Sequence, residues 1–226
     1  MRVLFAPDSF GGSLTAAQAA AAMAQGWARA VPGDTPVLLP LADGGTGFVE
    51  VLATARGGTR HDVEVTGPLG APTVATWLEL DGPGDGDRHS TPMGEPSSTR
   101  RTAFVESASA CGLHLVPERT PATATAATSR GVGELIAAAA RHAPAAIVVG
   151  LGGSACTDGG AGMLAALGAP ARDADGAALP DGGGPLGDVA RLADLAAVRA
   201  RLGDVELVVA ADVDHVLCGP QGAAAV

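Results

Sequence analysis

Four aspartates share one setting. Asp8, Asp43 and Asp212 each follow an apolar run of strand length, and Asp158 sits in a glycine-rich loop after another such run. Two of them continue as Asp43-Gly44-Gly45 and Asp158-Gly159-Gly160. Glycine lets the backbone approach a ligand closely and lets successive N–H groups face an anion. Carboxylates beside such amides suit Mg²⁺-phosphate chemistry, because Mg²⁺ takes one or two carboxylates plus substrate phosphates. Phosphoryl transfer to an alcohol needs that clamp, a carboxylate to take the hydroxyl proton, and positive donors for the transferred group. One Asp-Gly is a turn signal. Two Asp-Gly-Gly loops, each after a buried strand, point to chemistry, since ligands in open α/β sheets bind beyond the carboxyl ends of the strands.

Other polar residues keep two readings. Ser9 and Ser154 either bind phosphate or cap helices. Glu106-Ser107 either meets a ligand or starts a helix. His61, His89, His114 and His142 have no mutual spacing that suggests a metal, and His215 follows the Asp212 loop. Cys111, Cys156 and Cys218 are too far apart for a disulfide framework or a metal-ligand pattern. Cys156 reads as a small packed residue with no nearby base.

The elements that hold these residues alternate between strand and helix. Arg2 to Ala6 is a buried strand that stops at Pro7-Asp8. Ser13 or Thr15 then caps a helix to Ala30. Val37 to Leu41 is a second strand, and Phe48 to Arg56 a second helix. Strand, glycine loop and helix in this order predict a parallel sheet. From residue 60 the pattern changes. His61 to Thr66 alternates at period two, Gly67-Pro68-Leu69-Gly70 turns, and Thr73 to Leu80 returns, so this part is a hairpin. Asp81 to Arg100 is a loop rich in Gly, Pro, Ser and Asp. Thr102 to Glu106, Ala145 to Gly150 and Val205 to Ala211 are strands; Gly131 to His142, the stretch ending at Leu167, and Val189 to Leu202 are helices.

Composition sets the outer limits. At about 150 residues per domain, 226 residues give one large or two small domains. A net charge of −10 argues against a nucleic-acid footprint or a basic membrane face. No apolar run reaches the roughly 20 residues that span a bilayer. The first residues do not form a signal peptide. The expectation is a cytosolic α/β protein. All 14 basic residues are Arg, and the absence of Lys removes any Walker-A loop. Gly150-x-Gly152-x-x-Ala155 fits a dinucleotide fingerprint, with Asp173 and Asp175 about 20 residues on. Gly159, Gly160 and Gly162 interrupt the helix that would hold the pyrophosphate, so a nicotinamide-dependent oxidoreductase is the weaker alternative.

Several longer motifs, in order, resemble the bacterial glycerate kinase family, the two-lobed type with a flavodoxin-like lobe. Ala6-Pro7-Asp8-Ser9-Phe10-Gly11-Gly12-Ser13 is similar to A-P-D-S-F-K-G-S, and Leu39 to Gly47 to L-P-L-A-D-G-G-E-G. Val65 to Gly70 matches V-T-G-P-L-G. Glu106 to Leu113, Thr128 to Ile136, and Gly152 to Gly160 resemble E-M-A-A-A-S-G-L, T-T-Y-G-T-G-E-L-I and G-G-S-A-T-N-D-G-G. The resemblance implies two α/β lobes, one with a flavodoxin/Rossmann-like parallel sheet and one with a mixed sheet. Residues 1–60 would begin the first and 61–226 form the second, with later chain returning to the first. It implies ATP-dependent phosphorylation of D-glycerate, at the 2- or 3-hydroxyl, with Mg²⁺, in a cleft between the lobes. Asp8, Asp43 and Asp158 would be the catalytic carboxylates, and Asp43, Asp158 and Asp212 the metal ligands. Ser9, Gly44, Gly45, Gly153 and Ser154 would line the phosphate and substrate cleft, and Arg130 would pair the glycerate carboxylate. The chain departs from the pattern at Gly11, where the family has Lys, at Thr46 for an acid, at Thr157 for Asn, and at Asp212 to Leu217. Gly11 keeps a second reading open, a non-catalytic binder of a small carboxylate or nucleotide.

Overall fold

The computed structural model describes residues 1–82, 101–211 and 220. Residues 83–100 of the expected Asp81–Arg100 loop, with His89 among them, and Asp212, His215 and Cys218 lie outside the described residues. β1 (Arg2–Phe5) is followed by α1 (Ala16–Ala30), β2 (Thr35–Leu38) and α2 (Phe48–Arg56). β3 (Thr59–Thr66), β4 (Pro72–Asp81) and β5 (Arg101–Glu106) come next, then three helices: α3 (Ser107–Cys111), α4 (Pro121–Ala126) and α5 (Arg130–Ala140). β6 (Ala146–Gly150), α6 (Ala161–Ala166), β7 (Ala171–Arg172), β8 (Arg191–Leu192), α7 (Ala196–Leu202) and β9 (Glu206–Ala210) complete the order.

The fold is mixed α/β, with a parallel-rich five-stranded sheet and a separate small sheet carrying the first two strands. The large sheet runs β3-β4-β5-β6-β9. β3 and β4 form the expected antiparallel hairpin, with His61 opposite Trp77 and Thr66 opposite Pro72. β4 and β5 are antiparallel, whereas β5, β6 and β9 run parallel. β1 and β2 pair in parallel, Phe5 opposite Leu38.

The core lies on one face of the large sheet. Val65, Trp77, Val105, Ile147 and Val149 face Val132, Leu135 and Ile136 of α5, all buried. An apolar stripe at helical spacing on α5 meets the period-two face of the strands. Truncating Leu135 here would cost about 2–5 kcal/mol. The opposite face takes α2, where Phe48 meets Phe104 edge-on at 6.1 Å between ring centroids.

Local chemistry explains the element ends. Thr15 caps α1 through a reciprocal pair: it accepts from the Gln18 N–H, and Gln18 accepts from the Thr15 N–H. β2 stops before the expected Leu41 because Pro40 has no N–H for the ladder. The chain still follows β1, since the Leu39 N–H donates to Phe5 O and the Leu41 N–H to Pro7 O, both at 2.9 Å. The expected single helix over 189–202 divides in two. Arg191–Leu192 pairs with β7, and α7 starts only after Asp194, whose carboxylate accepts from the Ala196 N–H at 3.0 Å. Among the described residues no helix is long and apolar enough to cross a membrane. Leu4 and Leu38 of the small sheet and Val209 of β9 keep 57%, 48% and 56% of their surface exposed.

Candidate active site

A cleft of about 830 Å³ opens where the carboxyl ends of β1, β2 and β5 meet the loop after β6. Asp8 and Ser9 border it after β1, Asp43, Gly45 and Thr46 after β2, Glu106 and Ser109 at the end of β5, and Gly153 in the loop after β6. The backbone bonds that carry the chain past Leu39 and Leu41 keep the Asp8 and Asp43 loops side by side. The Asp8 Oδ1 accepts from the Ser9 N–H at 2.5 Å, and the Asp43 Oδ1 from the Gly45 N–H at 2.8 Å. Each carboxylate keeps its other oxygen free of hydrogen bonds among the described residues. The cleft is acidic overall: Glu50, Asp62 and Glu106 join the two aspartates, against Arg60 and His114.

Glu106 joins the two faces of the site. It is buried at 7% exposure, and its Oε2 accepts from the Val49 N–H at the start of α2 at 3.2 Å. Burial pushes its carboxyl above the ordinary range, against the backbone N–H groups of Gly47 and Val49, which favour the charged form. Of the two sequence readings of Glu106-Ser107, the helix start is seen, since α3 begins at Ser107, and the Glu106 side chain itself borders the cleft.

The glycines of the two Asp-Gly-Gly loops do not all face the cleft. Gly44 lies behind it, where its carbonyl accepts from the Gly152 N–H at 3.2 Å. A Cβ on Gly152 would lie 2.6 Å from the Gly45 Cα, and one on Gly44 would lie 2.8 Å from Ala210 O at a φ of +92°. Here glycine lets two loops cross backbone against backbone. The expectation that Gly44 lines a phosphate cradle gives way to this crossing, whereas Gly45 and Gly153 do border the cleft.

Three other expected residues lie away from the cleft. Asp158 is 1% exposed. Its Oδ2 accepts from the Ser129 N–H at 2.8 Å, the Ser129 hydroxyl at 2.9 Å, the Gly162 N–H at 3.1 Å and the Thr128 hydroxyl at 3.3 Å. Its Oδ1 accepts from the Gly160 N–H at 3.1 Å. This carboxylate ties the starts of α5 and α6 together and lies outside the cleft lining. Ser154 shares a hydrogen bond with Ser107 at 3.1 Å, outside the cleft lining. Arg130 spends its fork on Asp181, Nε to Oδ2 at 2.5 Å and Nη2 to Oδ1 at 2.8 Å. Arg60 is instead the arginine that borders the cleft. The spacing of the motifs does not mark Arg60; its place on the α2 side of β3 does.

Two further readings are settled by packing. The Cys111 and Cys156 sulfurs lie 3.7 Å apart, although 45 residues separate them in sequence. The Cys111 sulfur, and then burial, push the Cys156 thiol up, and the side chain packs against the core. The dinucleotide reading of Gly150 to Ala155 fails because α6 begins only at Ala161 and the glycines are filled by the Gly44-Gly45 crossing.

A sequence profile of the glycerate kinase family matches residues 3–226. The chain belongs to the glycerate kinase family. It is 46% identical to an uncharacterized protein of Mycobacterium bovis, over 100% of this chain and 48% of that protein. It is 43% identical to a glycerate kinase of Bacillus subtilis, over 100% of this chain and 54% of the relative. The crystal structure of a Salmonella typhimurium LT2 protein, provisionally named glycerate kinase 2, superposes with a TM-score of 0.72 at 40% identity. It is matched over 100% of this chain and 56% of that one. The chain thus spans about half the length of the curated relatives it matches. Within this glycerate kinase family member, Gly11, the position of the family's lysine, borders the cleft, and a Cβ there would meet nothing within 4 Å.

Proposed function

We propose that the cleft is the site of ATP-dependent phosphoryl transfer to a hydroxyl of D-glycerate. The observation that carries this reading is the meeting of Asp8 and Asp43 in one cavity at the strand ends, each with a carboxylate oxygen left over. Asp8 takes the proton of the attacking hydroxyl. Asp43 offers a carboxylate oxygen of the kind Mg²⁺ uses, and Asp212 is a further ligand candidate. When bound, the metal neutralises charge on the phosphates, which an acidic cleft would otherwise repel. The Ser9 hydroxyl and the Gly153 amide supply neutral donors. Arg60 takes the part first given to Arg130, pairing the glycerate carboxylate or a phosphate. The two-lobe division at residue 60 belongs to the same proposal. The exposed Leu4 and Leu38 are what the remainder of a first lobe would cover.

A coupled assay of ADP release with D-glycerate tests this. It is run on this chain and, where the gene continues past Val226, on the longer product. Glycerate-dependent turnover supports the reading; none in either, with both folded and with no nucleotide bound, overturns it. The binder reading draws on one observation: Arg60 is the sole arginine among the described cleft residues, with Gly11 where the family has lysine. Because the space at Gly11 is open, Gly11→Lys should fold normally. A decayed kinase site regains at least about tenfold activity from the added cation. No gain, with ligand binding intact, favours the binder.

A further inference from the structure

We propose that His61, Glu79 and His142 form a divalent transition-metal site, zinc being the best fit, on the face of the sheet away from the cleft. The sequence shows no metal spacing, since the two histidines are 81 positions apart. The fold brings them together. His61 lies near the start of β3, Glu79 near the end of β4, and His142 just past the end of α5. The His61 Nε2 is 3.2 Å from the Glu79 Oε2, and the His142 Nδ1 is 3.0 Å from the same oxygen. All three donor atoms lie within 4.8 Å of one another. Four ligands at about 2.0–2.1 Å around tetrahedral zinc are about 3.3 Å apart, so two edges of that tetrahedron are nearly in place.

Three features favour a metal over a simple ion-pair cluster. The His61 Nε2 is buried and has no hydrogen-bond partner, although it faces the glutamate oxygen at contact distance. A buried nitrogen left so is costly, and a metal would satisfy it. The ligands are also oriented from behind. The His61 ring stacks on Trp77 with centroids 4.2 Å apart and planes at 14°. Arg101 Nη1 holds the other glutamate oxygen, Oε1, at 3.1 Å, which fixes Oε2 toward the histidines. Finally, two imidazoles and a carboxylate suit zinc and its neighbours rather than Mg²⁺. His142 keeps 40% of its side chain exposed, so an ion and a water ligand can reach the site.

The site joins β3, β4 and the end of α5, and a bound ion would hold these elements together. It lies on the α5 face of the sheet, whereas Arg60, Asp62 and Thr76, on the opposite face, border the cleft. Its occupancy is thus separable from kinase activity.

The test uses chelator-treated protein carrying Trp27→Phe, which leaves Trp77 as the reporting indole. Co²⁺ is titrated and read by its visible absorption and by quenching of Trp77; Zn²⁺ is titrated by calorimetry and by its effect on Tm. The expected result is one equivalent of either metal, quenching on Co²⁺ addition, and a higher Tm with Zn²⁺. His142→Ala and His61→Ala should each weaken binding by at least about tenfold and abolish the Tm gain. If His61→Ala fails to fold because Trp77 loses its cover, the half-exposed His142→Ala decides alone. No saturable binding, or binding unchanged in His142→Ala, overturns the proposal.

Discussion

Asp43-Gly44-Gly45 and Asp158-Gly159-Gly160 begin alike and end apart. In both, Oδ1 accepts from the N–H two residues on, at 2.8 Å for Asp43 and 3.1 Å for Asp158. The second oxygen separates them. That of Asp158 takes two backbone and two hydroxyl donors, whereas that of Asp43 is left for the cleft. The tripeptide fixes a turn; what arrives from elsewhere in the chain decides whether its carboxylate is buried in packing or left facing the cleft. Ser129, 29 residues before Asp158, makes that decision in one loop. In the other, the Gly44-Gly152 crossing brings backbone close without covering the acid.

The largest effect is expected at the buried acid. Asp158→Ala strands three backbone N–H groups, each at about 1–3 kcal/mol, so urea denaturation should show a loss of at least about 3 kcal/mol. Asp43→Asn should keep stability within about 1 kcal/mol and lower turnover by roughly 10²–10³-fold. The glycines carry the same contrast at smaller size. Gly152→Ala drives a Cβ against the Gly45 backbone and should cost about 1–3 kcal/mol in thermal unfolding. Gly159→Ala meets open space at a φ of +58° and should cost only about 1 kcal/mol. The smallest effect is a pH slope. The Glu106 carboxyl is raised above 4.5 in the folded state, so the folded chain holds that proton more tightly than the unfolded one. Its contribution to stability is present below pH 4.5 and lost as pH rises through the folded value. Glu106→Gln, which can still accept from Val49, should flatten that part of the stability–pH curve.

Much of the scaffold is legible in the residues. The Thr15/Gln18 cap marks the start of α1, Gly47 and Gly57 bracket α2, and the turn at Gly67 to Gly70 fixes the hairpin, because these signals act within a few residues. The short α3 and α4 have no such length over which periodicity can build, and the Asp194 cap inside 189–202 is one residue among many alanines. The site is legible only in part. Asp8, Ser9, Asp43, Gly45 and Gly153 reach one cleft because strand ends gather there. Arg130 and Asp158 owe their roles to Asp181 and Ser129, 51 and 29 residues away. The pairing of His61 with His142 depends in the same way on how α5 lies across the sheet. Such partners are set by packing, and no local pattern announces them.

The most direct test of these two aspartates places Asp43→Asn and Asp158→Asn in one glycerate-dependent ADP-release assay, each normalised to folded protein and read beside its Tm. Asp43→Asn should keep the parent Tm and lose turnover, while Asp158→Asn should lose Tm and, in its folded fraction, turn over at the parent rate. Full turnover in Asp43→Asn, with turnover lost in folded Asp158→Asn, would contradict that expectation.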